Sequence, residues 1–431
     1  MTHCPILSNL TDFNCFIVRY FNPFLLLLMV VFATACATPP PPKPPSPPPV
    51  VPPAPAVIEQ PKPKPVRPKP VPPKVSVPPA PPVASVSDPQ IHARVVKLFP
   101  DQVQYKDGWA NDIQTAFKSL QILSTTENFC AVIAIIGQES GFQADPVVPN
   151  LPAIAWREIQ QRSDKYSIPK TVLDWSLNTQ SQDGRSYRTR IDALKTEKEL
   201  SDLVEEIIAS VPAGNKLFHN YNPVHTGGPM QVSVAFAEGH AQIRPYPYPI
   251  PRSLRSEVFT RRGGIYFGSA ILLDYPVPYQ DILYRFADFN AGRYSSRNAA
   301  FQHALSRVSG QEIACDGDLL RYKNGSPSDE PSSTLKILLS MSTTLKMSDA
   351  DIQRDVLLEK APNFHETTLY TRVFGLAEKT GKMPRATLPE IDIKSPKFKR
   401  KLTTQWFATR VNTRFRTCLQ QGGVSRGVKS K

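Results

Sequence analysis

The chain has 431 residues, 41% of them hydrophobic, with 46 prolines, six cysteines and a formal charge of +14 at pH 7. The apolar fraction allows a sizeable core, and the length points to two folded pieces with tails rather than one core. The positive balance argues against a cationic partner and for an anionic one: nucleic acid, an anionic membrane face or an acidic wall polymer.

An address stands at the start. Residues 24–32 form an apolar run centred on Leu25, Leu26, Leu27 and Leu28, with Arg19 before it. The run is shorter than the ~20 residues a membrane span needs and fits the h-region of a signal peptide. Ala33-Thr34-Ala35-Cys36 follows and resembles a lipobox. The resemblance implies that residues 1–35 are a signal peptide and that Cys36 is lipidated as the new N-terminus. Ala33 stands where that pattern prefers leucine, and the preceding region is long with little basic charge. An ordinary secretory signal or an uncleaved anchor would also place the protein outside the cytoplasm. Ala37, where an aspartate would retain the protein, implies the periplasmic face of a Gram-negative outer membrane. Cys4 and Cys15 leave with the signal. Cys130, Cys315 and Cys418 then allow one disulfide with a free thiol, or none. No CxxC and no Cys/His cluster commends a metal site, and no cofactor is implied.

Residues 36–85 are expected to be a disordered linker. Prolines crowd residues 39–83, interspersed with Lys62, Lys64, Arg67, Lys69 and Lys74. Such a segment favours extended polyproline II and reaches at most ~140 Å over roughly 45 residues. A mainly α-helical domain is expected over 86–325. Trp109, Ile113, Phe117 and Leu120 fall at helical spacing within 108–123. Ser124 with Glu127 fits a capping box opening a helix that runs to about Ser140 and ends at Gly141. Further helices are expected over 197–210, 266–273, 281–290 and 296–308. A polar break at 316–333 sets off a C-terminal basic region, 326–431, where Ser348 caps a helix with Asp351 three residues on.

Glu139 is the residue with chemistry. Val132, Ile135 and Ile136 lie seven, four and three residues before it, which puts it on their apolar face. Desolvation and the negative end of the helix dipole both disfavour its anion. Both raise its pKa toward the range a general acid needs at neutral pH.

Three segments then carry a resemblance. Gly137-Gln138-Glu139-Ser140-Gly141-Phe142 resembles the E-S-x-F signature of lytic transglycosylases and their goose-type lysozyme relatives. Gly227-Gly228-Pro229-Met230-Gln231 is similar to that family's G-L-M-Q, and Ala287-Asp288-Phe289-Asn290-Ala291-Gly292 to its A-Y-N-A-G. The stretch 264–274, with Gly268 central, resembles the helix packed behind the site. The likeness covers about residues 105–310. It implies a lysozyme-like helical fold with a saccharide cleft, a long insertion at 146–224, and a smaller C-terminal region. It implies cleavage of the MurNAc–GlcNAc bond of peptidoglycan by Glu139 alone, giving 1,6-anhydro-MurNAc ends. Ser140 would hold the substrate or Glu139. Met230 and Gln231 would line the cleft, and Phe289 and Asn290 would stand near Glu139 from the facing helix.

The sequence also departs from that pattern. Pro229 replaces leucine, and Phe289 replaces a tyrosine whose hydroxyl would reach the glutamate; Tyr266, Tyr284 or Tyr294 are candidate substitutes. A hydrolytic muramidase would need a second carboxylate, for which Asp145, Glu238 and Asp288 are the candidates. The other alternative is a catalytically weak peptidoglycan-binding lipoprotein linking wall and outer membrane. Gly423-Val424-Ser425-Arg426-Gly427 matches a nucleophile elbow in letters but lacks a strand before it. The basic tail, with Arg410 and Arg414 among aromatics such as Trp406 and Phe407, would suggest nucleic acid only in a cytosolic protein. Partners are therefore expected to be glycan strands and, through lipid, the outer membrane.

Overall fold

The computed structural model describes residues 88–165, 167–210, 222–323, 325–393 and 402–424. The expected signal peptide, Cys36 and the proline-rich linker lie outside the described residues. What is described is mainly α-helical, with sheet limited to two-stranded pairs.

α1 (Pro89–Lys97) starts at Asp88, whose carboxylate accepts the N–H groups of Gln90 and Ile91. α2 (Lys106–Leu120) buries the expected stripe of Trp109, Ile113, Phe117 and Leu120. α3 (Thr126–Glu139) buries every side chain from Phe129 to Ile136. A helix apolar on all sides belongs at the centre of a core, and α3 is packed by α10 and α17, defined below. Its cap is Thr125, which accepts the Asn128 N–H at 3.2 Å, so the expected Ser124–Glu127 box does not form. Asn128 instead donates its side-chain amide to the Leu123 carbonyl, which displaces Ser124 from the capping position.

The stretch 146–224 holds α4 (Leu151–Lys165), α5 (Lys170–Asn178), α6 (Tyr187–Asp192) and α7 (Glu197–Ser210). Trp156 donates to Asp192 at 2.6 Å, and Arg190 pairs with Glu206. Its apolar residues, among them Leu151, Leu177, Leu203 and Ile208, join the main core. The chain then forms the hairpin β1 (Thr226–Gly227) and β2 (Val232–Ser233). α8 (Val234–Ile243), α9 (Leu254–Val258), α10 (Arg261–Leu273), α11 (Ile282–Ala291) and α12 (Ser295–Ser309) follow.

The C-terminal region divides differently from expectation. α13 (Ser333–Ser340), α14 (Ser342–Leu345), α15 (Asp349–Val356) and α16 (Thr368–Ala377) build a second core on one side of α12. Ser348 caps α15 as expected, accepting the Asp351 N–H. Buried Arg297 of α12 ties this core in by donating to the carbonyls of Glu359 and Ala361. The basic tail does not stay with it. α17 (Thr404–Gln421) returns to the first core and packs on α3 and α11. Phe407, Val411, Phe415 and Leu419 recur every four residues and form its buried stripe. A disulfide joins Cys130 of α3 to Cys418 of α17 across 288 residues of sequence. Among the described residues Cys315 is the free cysteine, its thiol pushed up to about 11 mainly by burial.

Candidate functional site

Glu139 is the last residue of α3, followed by Gly141 and Phe142 with φ of +58° and +65°. These left-handed residues fold the chain back. The Phe142 ring lies edge-on to Phe99 and Trp109, at centroid distances of 5.8 and 6.1 Å. The last residues of α3 are half-buried as a whole, but the Glu139 carboxyl is turned inward. Both carboxylate oxygens of Glu139 are shielded from solvent and have no hydrogen-bond partner among the described residues. Burial pushes this carboxyl up to about 8, and the charge of Glu197 adds to the effect. Glu139 is therefore a proton-bearing acid at neutral pH.

The second motif forms a tight turn. Gly228 and Gln231 have φ of +71° and +49°, and the Gln231 N–H donates to the Gly228 carbonyl at 3.1 Å. Any Cβ on Gly228 would stand 2.2 Å from the Val258 carbonyl oxygen, so glycine is required twice over. Gly268 of α10 leaves the space that Met230 fills, since a Cβ there would lie 2.4 Å from the Met230 sulfur. Met230 is consequently fully buried and supports the turn from behind rather than lining an open cleft.

Gln231 is the half-buried residue that this support positions. Its amide donates to Glu197 at 3.3 Å and accepts from the Thr226 hydroxyl at 3.4 Å. Glu197, the first residue of α7, thus stands beside both Gln231 and Glu139. The first turn of α7 supplies a carboxylate beside Glu139 that the sequence alone did not point to. Glu197 lies 58 positions from Glu139, and no spacing rule connects them. The only signal was its place in the acidic first turn of a well-defined helix.

Other expected residues have different work. Ser140 donates its hydroxyl to the Ile136 carbonyl at 3.0 Å, which also accepts the Ser140 backbone N–H at 3.1 Å. It holds neither Glu139 nor an open surface. Phe289 is buried in the main core. Asn290 is buried and accepts from the Thr404 hydroxyl of α17 at 2.8 Å. None of the candidate tyrosines donates to Glu139: Tyr266 donates to the Pro245 carbonyl, and Tyr294 and Tyr284 pack against Tyr275 and Tyr279.

The alternative carboxylates are also committed. Asp288 is buried and accepts from Tyr275, Tyr279 and the backbone N–H groups of Tyr294 and Ser296. Asp145 accepts the Thr196 hydroxyl at 3.0 Å, and Glu238 is exposed on α8. Ser425 and the residues after it lie outside the described residues, and α17 rather than a strand precedes them. Among the described residues no His, Cys, Asp and Glu group could hold a metal ion, and no helix is long and apolar enough to cross a membrane.

The fold and site define a helical protein with a glutamate carboxyl held buried and protonated at a helix end, next to a glycine-rich turn. A family model described as "Protein of unknown function (DUF1615)" matches residues 102–421, and the chain belongs to that family. It is similar to "Uncharacterized protein YaiW" of Escherichia coli (strain K12), with 48% identity over 324 residues, 75% of this chain and 87% of that one. No solved structure matches. The matched region ends at the last residue of α17, so that helix belongs to the family's common unit along with Glu139.

Proposed function

We propose that this protein is a membrane-anchored lytic transglycosylase with a lysozyme-like helical fold, acting on peptidoglycan glycan strands. One observation carries the reading: the Glu139 carboxyl is buried without a donor and holds its proton to about pH 8. The three motifs that resemble the transglycosylase pattern support it, because two of them meet at Glu139 through Glu197 and Gln231. Glu139 gives its proton to the glycosidic oxygen between MurNAc and GlcNAc, and the C1–O bond breaks. The resulting carboxylate takes the proton of the muramoyl 6-hydroxyl as that oxygen bonds to C1. An anhydro ring forms, Glu139 ends protonated, and no water is consumed. A pocket without donors suits this cycle, since nothing holds the anion in place.

In this reading Cys36 carries the lipid that anchors the protein to the inner leaflet of the outer membrane, and residues 36–85 are the tether to the wall. The Cys130–Cys418 disulfide supports an oxidising compartment such as the periplasm. The test is mass spectrometry of soluble products after the purified full chain is incubated with sacculi. Anhydro-muropeptides are expected. Reducing-end products would replace the reading with hydrolysis, for which Glu197 is the second carboxylate. Absence of products with co-sedimentation would favour a peptidoglycan-binding lipoprotein, the reading that buried Phe289 supports.

A further inference from the structure

The outer face of α17 has a feature that the cleavage reading does not use. Thr403, Gln405, Trp406, Thr409, Arg410, Thr413 and Arg414 line a groove of about 540 Å³ along the helix. Arg410, Thr413 and Arg414 are exposed, while Trp406 is half-buried. The Arg410 guanidinium stands 5.7 Å from the Trp406 ring centre, so an aromatic face and a cation are presented together. Among the described residues no acidic side chain lines the groove.

The groove also flanks the site. Arg414 donates to the Gln138 side chain at 3.3 Å, next to Glu139, while the disulfide pins Cys418 to Cys130. At the other end Thr404 bonds Asn290 of the third motif. Ten residues of helix, about 15 Å, therefore run from beside the glutamate to the end of α11.

We infer that this groove is a subsite for the peptide-bearing muramoyl unit of the strand, an assignment that rests on the peptidoglycan reading above. Trp406 offers its indole face to a sugar ring. Gln405, Thr409 and Thr413 offer hydrogen bonds to hydroxyl and acetamido groups. Arg410 and Arg414 meet the free carboxylates of the peptide stem, which reach out beyond the sugar, whereas a glycan stripped of its peptides keeps only the lactyl carboxylate close to the ring. The two arginines thereby make the protein select glycan that still carries its peptides.

The test measures binding apart from cleavage, using the full chain carrying Glu139→Gln so that the ligand is not consumed. Binding is compared by titration calorimetry on soluble glycan strands of equal length, one set keeping its peptides after the cross-links are cut by an endopeptidase and the other stripped of peptides by an amidase. The parent should bind the peptide-bearing strands at least about tenfold more tightly. Adding Arg410→Gln with Arg414→Gln should abolish that preference while leaving affinity for stripped glycan within about twofold. Adding Trp406→Ala should weaken binding to both. A parent without preference would overturn the subsite, as would arginine variants that keep it or that lose equally on both ligands. If the preference and its loss appear but wild-type protein releases no anhydro products, the groove stands and the transglycosylase reading falls.

Discussion

Glu139 and Asp288 are both carboxyls near the C-terminal end of a core helix, and the pKa of both is raised mainly by burial. Their surroundings differ completely. Asp288 accepts from two tyrosine hydroxyls and two backbone N–H groups, and it organises the entry into α12. Glu139 accepts from none among the described residues. A buried polar group left without partners costs about 1–3 kcal/mol. Asp288 has the environment of a structural carboxylate, and Glu139 has that of a group kept for proton transfer.

The largest expected effect comes from Glu139→Gln, which should reduce release of anhydro-muropeptides by about 10²–10⁴-fold with the helical circular dichroism unchanged. Retained turnover would make the two carboxyls functionally alike. Asp288→Ala should instead act on stability. It strands four donors and should lower unfolding free energy by about 3–5 kcal/mol in urea titration. A loss below about 1 kcal/mol would deny Asp288 its structural role. Replacing Cys130 and Cys418 together with alanine should cost about 2–4 kcal/mol, because the bridge closes a very long loop, and should appear as a lowered Tm.

A smaller effect sharpens the contrast by pH. In the unfolded chain Glu139 ionises near 4.5, whereas in the folded protein it holds its proton to about 8. The folded state binds the extra proton between those values, so this group's contribution makes stability fall as pH rises through that window. Glutamine does not titrate. The stability of Glu139→Gln relative to wild type should therefore rise between pH 5 and pH 8, by about 1–3 kcal/mol. A difference independent of pH would mean that Glu139 is already ionised at neutrality. Least of all, Glu197→Gln removes one anion that disfavours the Glu139 anion, and should move the alkaline limb of the pH–rate profile to lower pH by a few tenths of a unit.

Much of the helical frame was legible because period and punctuation agreed. The 197–210 helix was read to the residue, and the Ser348 cap and the 281–290 and 296–308 helices nearly so. α17 was hidden because arginines and threonines dominate its composition, while its core stripe needs only one apolar residue in four. Glu139 was legible from its apolar helical face. Its neighbours were not, because the contact with Glu197 depends on how the stretch 146–224 folds back on α3. Ser140 and Met230 were assigned to substrate by analogy with a motif. Locally, a helix-end serine has a nearer acceptor, and a methionine facing a glycine has a cavity to fill.

The most direct measurement is a carbon-13 NMR pH titration of the full chain labelled at the glutamate side-chain carboxyl carbons. Glu139 is assigned by the resonance missing from Glu139→Gln. A midpoint near pH 8 is predicted, far above the ordinary glutamate range. A midpoint near 4.5 would show an ionised Glu139 at neutral pH and contradict the proposal that it is the proton donor.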